Sequence, residues 1–151
     1  MRILFLLLFF LAACGQEKPN NTIASNDIKS VYWSDGDSGR IVLIKGDIIK
    51  FRIDDWDAPE TGGVGAAIGG AKCEAEREHG YLAKKYMVDN TKYITSWEHS
   101  NEYDRYKRLL ARPYIDDFEL ANRAAENDLL RSWKHDGGRA LEQRPKWCEG
   151  D

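Results

Sequence analysis

Residues 51–60, FRIDDWDAPE, decide the fold that this sequence predicts. Apolar side chains alternate with polar ones along this stretch and just before it, which is typical of a strand with one buried and one solvated face. The apolar members are Ile49, Phe51 and Ile53. Pro59 cannot donate a hydrogen bond to a sheet and disfavours helix at the residue before it. The strand is therefore predicted to end in a turn near Asp57.

The same turn carries residues suited to phosphate chemistry. Arg52 lies on the polar face of the strand, and the carboxylates Asp57 and Glu60 follow it. Carboxylate oxygens bind hard cations and a guanidinium pairs with phosphate oxygens, so these side chains suit a metal-assisted phosphoryl site. A solvated charged turn is the alternative, and it is the commoner case for a turn of this composition taken alone.

Two more strands are predicted upstream, at 27–35 and 40–45, joined by an Asp-Gly turn typical of hairpins. With the strand at 49–54 they form a three-stranded meander. This arrangement brings Asp37, in the first turn, toward Asp57 at one end of the sheet.

Helix and strand patterns also follow the turn. The predicted elements are a helix at 73–90, a strand at 91–97, a strand at 109–115 and a helix at 118–127. The first helix has an apolar stripe formed by Ala75, His79, Leu82, Ala83 and Tyr86. His79 is interpreted as a packed histidine rather than a ligand. Residues 61–71 contain five glycines and predict a mobile loop beside the turn, and residues 133–147 predict a basic, turn-rich tail.

The beginning of the chain predicts export. Residues 1–13 have the basic start and short apolar run of a secretory signal, too short to span a membrane. The following cysteine resembles the lipidated residue of bacterial lipoproteins, so Cys14 is predicted to anchor the protein to a membrane of the cell envelope. Ordinary cleavage beside an incidental cysteine is the alternative. Residues 14–26 predict a flexible tether, and 27–151 a single folded domain.

Charge and cysteine content narrow the function classes further. The formal net charge is −3 and becomes −4 when Arg2 leaves with the signal, which argues against passive coating of a polyanion. Of the three cysteines, Cys73 and Cys148 remain after Cys14 is assigned to lipidation. An even remainder in an oxidising compartment favours a disulfide, with two buried thiols or a metal pair as alternatives.

Five strands, with a helix after the third and another after the fifth, predict an α+β fold: a five-stranded Greek-key barrel of the OB type with two helices. Three charged turns then form one set, at 35–38, 52–61 and 104–108. In order and spacing they resemble the staphylococcal nuclease (thermonuclease) family, and the resemblance extends from about Val31 to Leu130.

The resemblance implies a role for each charged residue. The calcium ligands fall on the carboxylates of Asp37 and Asp57 and on the carbonyl of Ala58, and the general base falls on Glu60. The phosphate-binding arginines fall on Arg52 and Arg108. The substrate-binding residues of the third turn fall on Tyr106 and Arg105. The implied activity is that of a monomeric, calcium-dependent endonuclease that cuts DNA and RNA at the bond between phosphorus and the 5′ oxygen, leaving 3′-phosphate ends.

Some positions depart from the family pattern. Lys107 replaces the usual glycine of the third turn, Ala58 replaces a threonine, and the tail lacks a long last helix and the tyrosines that stack on nucleotide. A non-catalytic OB-fold module that binds nucleic acid or another ligand is the first alternative, and a structural lipoprotein of the envelope is the second. The complete charged set favours the enzyme, because a binding module has no need of a base and metal ligands together.

Overall fold

The computed structural model describes residues 21–136 and 139–149. Within them the chain forms a mixed α+β structure, mostly sheet, with two α-helices. The strands are β1 (Asn21–Ala24), β2 (Ile28–Trp33), β3 (Ser38–Leu43), β4 (Ile48–Ile53), β5 (Trp56–Asp57), β6 (Ser96–Tyr103), β7 (Leu109–Ile115), β8 (Phe118–Glu119), β9 (Arg131–Ser132), β10 (His135–Asp136) and β11 (Arg139–Ala140). The helices are α1 (Glu74–Asn90) and α2 (Leu120–Glu126).

The main sheet has the order β1-β6-β7-β4-β3-β2, and β8 pairs with β7 outside that path. The predicted meander is present, because β2, β3 and β4 pair antiparallel in sequence order. The pairing of β4 with β7 is parallel and joins the meander to the rest of the sheet. Of two small antiparallel pairs, β5 with β9 joins the tail to the turn after β4, and β10 with β11 lies within the tail.

Pairing between the two end strands would close the main sheet into the predicted barrel. Within the described ranges the end strands β1 and β2 are not paired with each other, so the sheet is not closed into a barrel. The α+β class and the two helices are as predicted. The closed OB barrel is not.

An aromatic cluster forms the centre of the core. The Phe51 ring lies 4.6 Å from the Trp97 ring and 5.0 Å from the Trp33 ring, measured between centroids. Aromatic pairs at such distances contribute about 0.5–1.5 kcal/mol each beyond the area that they bury. Phe51 and Ile53 are fully buried, as the alternation around residues 51–60 predicts. This packing fixes β4 in the sheet and so positions the charged turn that follows it.

The predicted tether is wrong in part, because Asn21–Ala24 forms the edge strand β1. This strand pairs with β6, and Ile23 lies opposite Trp97 and packs against the core. Four residues paired to a strand far along the chain have no periodicity of their own, which is why composition alone favoured a tether. The remainder of the tether, the signal segment and Cys14 lie outside the described residues.

The predicted strand at 91–97 is also displaced. Thr91–Tyr93 forms a 3₁₀ turn, and β6 begins at Ser96 and continues to Tyr103. The Thr91 hydroxyl donates to the Met87 carbonyl and accepts from the Trp33 indole, each at 2.8 Å. These bonds continue α1 into the 3₁₀ turn, so the strand begins at Ser96 rather than at Thr91.

Helix α1 buries only part of the predicted stripe, with Ala83 buried and Tyr86 packed against the core. Its buried residues are Glu76, Gly80, Ala83 and Met87, whereas Leu82 of the predicted stripe is 60% exposed. His79 is half-buried, with its ring 5.2 Å from the Trp147 ring in an edge-to-face contact. Helix α2 begins at Leu120 because Phe118 and Glu119 pair with β7.

Cys73 and Cys148 form the predicted disulfide, with an S–S distance of 2.09 Å. The bond closes a separation of 75 residues, for which the chain-entropy model gives a stabilisation of about 4 kcal/mol. It joins the start of α1 to the end of the described chain. No α-helix in the described part has the length and apolar character needed to span a membrane.

Candidate functional site

Two charged turns meet beside α1, and Gly36 permits their close approach. A Cβ atom at position 36 would lie 2.8 Å from the Ala83 Cβ and 2.9 Å from the Ala58 Cβ, which is too close for any other residue. The turn after β2 therefore lies directly between helix α1 and the turn after β5.

Hydrogen bonds fix the first turn and join it to the second. The Asp35 carboxylate accepts from the Ser38 backbone and hydroxyl, both at 2.8 Å, and from the Asp37 backbone at 3.2 Å. The Asp37 carboxylate in turn accepts from the Ala58 backbone at 3.0 Å. Asp37 and Asp57 thus lie at the same end of the sheet, as the sequence predicts.

The second turn is positioned by α1. A Cβ at Gly80 would lie 2.5 Å from the Glu60 carbonyl oxygen, so the glycine lets the helix backbone contact the turn. The buried Glu76 carboxylate accepts from the backbone of Glu60 at 3.3 Å and of Lys72 at 2.7 Å. Glu76 therefore holds the segment that carries Glu60. The sequence gives no sign of this role, because a glutamate among charged residues of an amphipathic helix predicts a solvated position.

Arg52 joins the two acidic turns. Its Nη2 lies 3.2 Å from Asp37 Oδ2 and 3.7 Å from Asp57 Oδ1, and it donates to the Trp56 carbonyl at 2.9 Å. Its guanidinium lies 5.3 Å from the centre of the Trp133 ring, and 13% of its side chain is exposed. Three predicted site residues, Arg52, Asp37 and Asp57, are thus in direct contact.

A second guanidinium, that of Arg144, occupies the other side of the cluster. Its Nε lies 2.9 Å from Asp57 Oδ1, and its Nη2 lies 2.9 Å from Glu60 Oε1 and 3.5 Å from the Ala58 carbonyl oxygen. Sequence reasoning missed Arg144, since it lies in a tail without periodicity. The one available signal was the predicted disulfide at Cys148, which places the tail near α1.

Two aromatic residues complete the cluster and were also missed. The Trp147 indole donates to Asp57 Oδ2 at 2.8 Å. The Trp133 ring lies below both guanidiniums, 5.3 Å from that of Arg52 and 5.7 Å from that of Arg144. Both tryptophans come from the tail, so the site is built from the sheet, α1 and the end of the chain.

Burial and mutual repulsion shift the carboxyl groups of this cluster. Burial and the charge of Asp37 raise the pKa of Asp57 to about 6, although Arg144 and Trp147 act in the opposite direction. Burial, followed by the charge of Asp37, raises the pKa of Asp35 to about 8. Burial and the neighbouring negative charge thus disfavour the ionised form of both carboxyl groups.

Arg108 is not in this cluster. Its Nη2 pairs with Asp104 Oδ2 at 2.7 Å, within the turn between β6 and β7. Arg108 lines a groove of about 480 Å³ together with Tyr32, Trp33, Ser34, Ser38, Gly39, Arg40 and Lys50. Because Ser38 follows Asp37 directly, one side of the groove begins beside the acidic cluster.

Arg105 and Tyr106 lie in the same turn as Arg108. Arg105 donates to the Tyr106 hydroxyl at 2.8 Å, and both side chains are exposed. The Arg108 guanidinium lies 5.4 Å from the centre of the Tyr106 ring. The third predicted motif is therefore a self-contained unit beside the groove.

The predicted calcium ligands hold arginine side chains in this arrangement. Within residues 21–136 and 139–149, no group of three or more His, Cys, Asp or Glu side chains is arranged to hold a metal ion. The oxygens of Asp57, Ala58 and Glu60 nevertheless converge on one cation, the Arg144 guanidinium. The sequence matches no protein-family model and no curated protein.

Proposed function

We propose that this protein is a calcium-dependent endonuclease of the thermonuclease type, acting on phosphodiester bonds of DNA and RNA. The observation that carries the proposal is the position of Arg52, 3.2 Å from Asp37 and 3.7 Å from Asp57, in the same cluster as Glu60. A buried guanidinium, a carboxylate base and oxygen donors for a cation are the parts that phosphodiester hydrolysis requires.

The chemistry assigns a task to each residue. A phosphodiester is negatively charged and repels a nucleophile, so cationic groups at its oxygens lower the barrier. Arg52 is preorganised for this task, because Asp37, Asp57 and the Trp56 carbonyl hold its guanidinium in place. Glu60 accepts a proton from the attacking water, whose oxygen bonds to phosphorus as the bond to the 5′ oxygen breaks. The 5′ oxygen takes up a proton and leaves as a hydroxyl, and the other fragment ends in a 3′-phosphate.

Calcium suits the oxygen donors at this site. The carboxylates of Asp37 and Asp57 and the carbonyl of Ala58 are the hard ligands that calcium prefers. The convergence of Asp57 and Ala58 oxygens on the Arg144 guanidinium supports a cation position there. When bound, calcium supplies positive charge to a phosphate oxygen and orients the substrate.

A nucleic-acid substrate is supported by the groove that Arg108 lines. Arg40 and Lys50 are exposed and lie in the same groove, and the Arg40 guanidinium lies 4.7 Å from the centre of the Tyr32 ring. A track of cations with an aromatic face is the usual surface for single-stranded nucleic acid. In this proposal Arg108 binds a phosphate, and Tyr106 and Arg105 contact the nucleotide beside it.

Two further parts of the proposal concern fold and location. The segment β1–β2 resembles one strand interrupted at Ser25–Asp27, whose halves pair with β6 and β3, and this supports a Greek-key barrel of the OB type. The lipoprotein-like sequence around Cys14 supports an exported, membrane-anchored protein. Mass spectrometry of protein from its native membrane would detect the lipid on Cys14.

A non-catalytic binding module is the second candidate. The ion pair between Arg144 and Glu60 favours it, because the Glu60 oxygen that would face the water already binds a guanidinium. Such a module would hold a nucleic acid strand in the groove without cutting it.

Digestion of single-stranded DNA by the mature chain, residues 14–151, separates the two candidates. The nuclease should shorten the DNA in calcium and stop when a chelator is added. Binding of intact DNA without calcium-dependent shortening would instead support the binding module and reject the enzyme.

A further inference from the structure

Arg144 contacts two of the three proposed calcium ligands, Asp57 and Ala58, together with the proposed base, Glu60. Its guanidinium binds Asp57 Oδ1 and Glu60 Oε1, each at 2.9 Å, and approaches the Ala58 carbonyl at 3.5 Å. A guanidinium and a divalent cation cannot both occupy a position within bonding distance of the same oxygens, because each excludes the other by volume and by charge.

Both oxygens of Asp57 already accept a hydrogen bond in this arrangement. Its side chain is 1% exposed, Oδ1 accepts from Arg144 Nε, and Oδ2 accepts from the Trp147 indole at 2.8 Å. Both donors belong to the same short segment of the tail. Binding of calcium through Asp57 Oδ1 therefore requires the Arg144 guanidinium to move.

The tail is held in place by contacts that do not involve the site. Cys148 is joined to Cys73 at the start of α1. The Trp147 ring lies against His79 at 5.2 Å and below the Arg131 guanidinium at 4.1 Å. Arg131 also donates to the Lys146 carbonyl. Since three residues separate Arg144 from the disulfide, its effective concentration at the site is high.

Deprotonation of Arg144 is not the means of release. Burial alone would lower the pKa of Arg144, but the charges of Asp57 and Glu60 outweigh it and raise the pKa above its ordinary value. Arg144 therefore stays charged at every pH at which the protein is folded. Arg144 can be displaced by a competing cation or by loss of the Cys73–Cys148 disulfide that holds the tail.

We infer that the oxygens of Asp57 and Ala58, beside the Glu60 carboxylate, form one cation site with two alternative occupants, the Arg144 guanidinium and a divalent cation. The inference rests on the proposed function for the identity of the divalent cation. Arg144 is then a competing ligand that lowers calcium affinity, and the Cys73–Cys148 disulfide increases the competition by keeping Arg144 close.

The first test is calorimetric titration of the oxidised mature chain with calcium, comparing wild type with Arg144→Gln. If the open state is about 1–10% populated, removing the competitor should tighten calcium binding by about 10- to 100-fold. The control is Arg139→Gln, which removes an exposed arginine of the same tail and should leave the affinity unchanged. Equal or weaker calcium affinity in Arg144→Gln would overturn the inference.

A second variant tests the same competition in case Arg144→Gln does not fold. Trp147→Phe keeps an aromatic ring against His79 and Arg131 but removes the donor to Asp57 Oδ2, so it should also tighten calcium binding. The double variant Cys73→Ser with Cys148→Ser should also tighten calcium binding, because it releases the tail that carries Arg144. No change in either would contradict a clamped competitor.

DNA cleavage is measured separately on the same proteins. At saturating calcium, Arg144→Gln should cut at the wild-type rate, because the competitor is then displaced in both. Tighter calcium binding without cleavage in any variant supports the competition and rejects the nuclease. Cleavage with equal calcium affinities supports the nuclease and rejects the competition. Loss of turnover at saturating calcium would make Arg144 part of the reaction and reject its role as a competitor.

Discussion

Asp57 illustrates how a carboxylate remains ionised at a buried position. It is fully buried, yet Arg52, Arg144 and Trp147 all direct hydrogen-bond donors or positive charge at its two oxygens. Burying an ion without such partners costs several kcal/mol, which is why a buried carboxylate needs them. The same residue is therefore central both to the packing of the tail and to the proposed chemistry.

Glu60 is the residue whose substitution should affect turnover most selectively. Glu60→Gln keeps the shape of the side chain and can still accept from Arg144, but it removes the proton acceptor. Turnover should fall about 100- to 10,000-fold with substrate binding largely kept. The measurement is cleavage under single-turnover conditions, with Glu78→Gln on the exposed side of α1 as control. Wild-type turnover in Glu60→Gln would remove Glu60 from the role of base.

Arg108 and Arg105 form a matched pair at the third turn. Arg108 is half-buried and faces the groove beside Ser38, whereas Arg105 is exposed and donates to Tyr106. Arg108→Ala should raise the barrier by about 3–4 kcal/mol, as does loss of other preorganised charges. Arg105→Ala should mainly weaken substrate binding. Steady-state kinetics of the two variants decide this, and the reverse order of effects would show that the motif is assigned to the wrong guanidinium.

Local sequence could predict the residues that build the acidic turns, and it placed Asp37 near Asp57 correctly. Each of these residues lies next to a strand whose register fixes its position. Glu76 and Arg144 could not be predicted in the same way. Their positions depend on the rotation of α1 and on the path of the tail, which are set by long-range packing at Gly80 and by the disulfide.

At the scale of elements, the turn between β6 and β7 carries backbone strain. Lys107 has φ of 60°, a left-handed conformation that costs a residue with a Cβ about 1–2 kcal/mol. Lys107→Gly should remove that cost and raise the free energy of unfolding, although part of the gain is lost to the greater freedom of glycine in the unfolded chain. Urea unfolding measures the change.

The control for this substitution is Lys84→Gly within α1, which should lower the free energy of unfolding by about 1 kcal/mol. A lower stability of Lys107→Gly would contradict the strain. Cleavage by Lys107→Gly should equal or slightly exceed that of wild type, because Asp104 continues to hold Arg108.

Asp104 organises the same turn and should make its stability depend on pH. Burial alone would raise the pKa of Asp104, but hydrogen bonds from the Arg108 backbone and side chain, and from the Tyr106 backbone, lower it. A lowered pKa in the folded state means stabilisation that is complete above the ordinary pKa of about 4 and is lost as the pH falls further.

Asp104→Asn tests this dependence. At pH 7 the variant should be less stable than wild type by about 1.5–3 kcal/mol, the usual contribution of a hydrogen bond between charged groups. The difference should shrink as the pH falls below about 4. Chemical unfolding at a series of pH values measures it. A difference that stays constant with pH would show that the carboxylate charge is not what stabilises the turn.

Most elements follow from local pattern, and the exceptions have identifiable causes. The meander, α1 and β7 are as predicted because alternation or helical spacing is strong there. Strand β1 is too short to have a pattern and depends on pairing with β6. The 3₁₀ turn at Thr91–Tyr93 depends on contacts with Trp33 and Met87, which the local sequence does not contain.

At the scale of the whole molecule, the end of the chain returns to the site. The pairing of β9 with β5, the disulfide, and the contacts of Arg144 and Trp147 with Asp57 all act on the same turn. The tail therefore couples the stability of the fold to the state of the cation site. A sequence with the charged turns but without this tail would have the same proposed chemistry and a more accessible site.

The most direct measurement is end-group analysis of a short single-stranded DNA incubated with the mature chain. Mass spectrometry should find fragments that end in 3′-phosphate and begin with 5′-hydroxyl when calcium is present. The fragments should be absent with chelator and reduced in proportion to turnover in Glu60→Gln. Intact DNA in calcium, or fragments that carry 5′-phosphate, would contradict the assignment of Arg52, Asp37, Asp57 and Glu60 to phosphodiester cleavage.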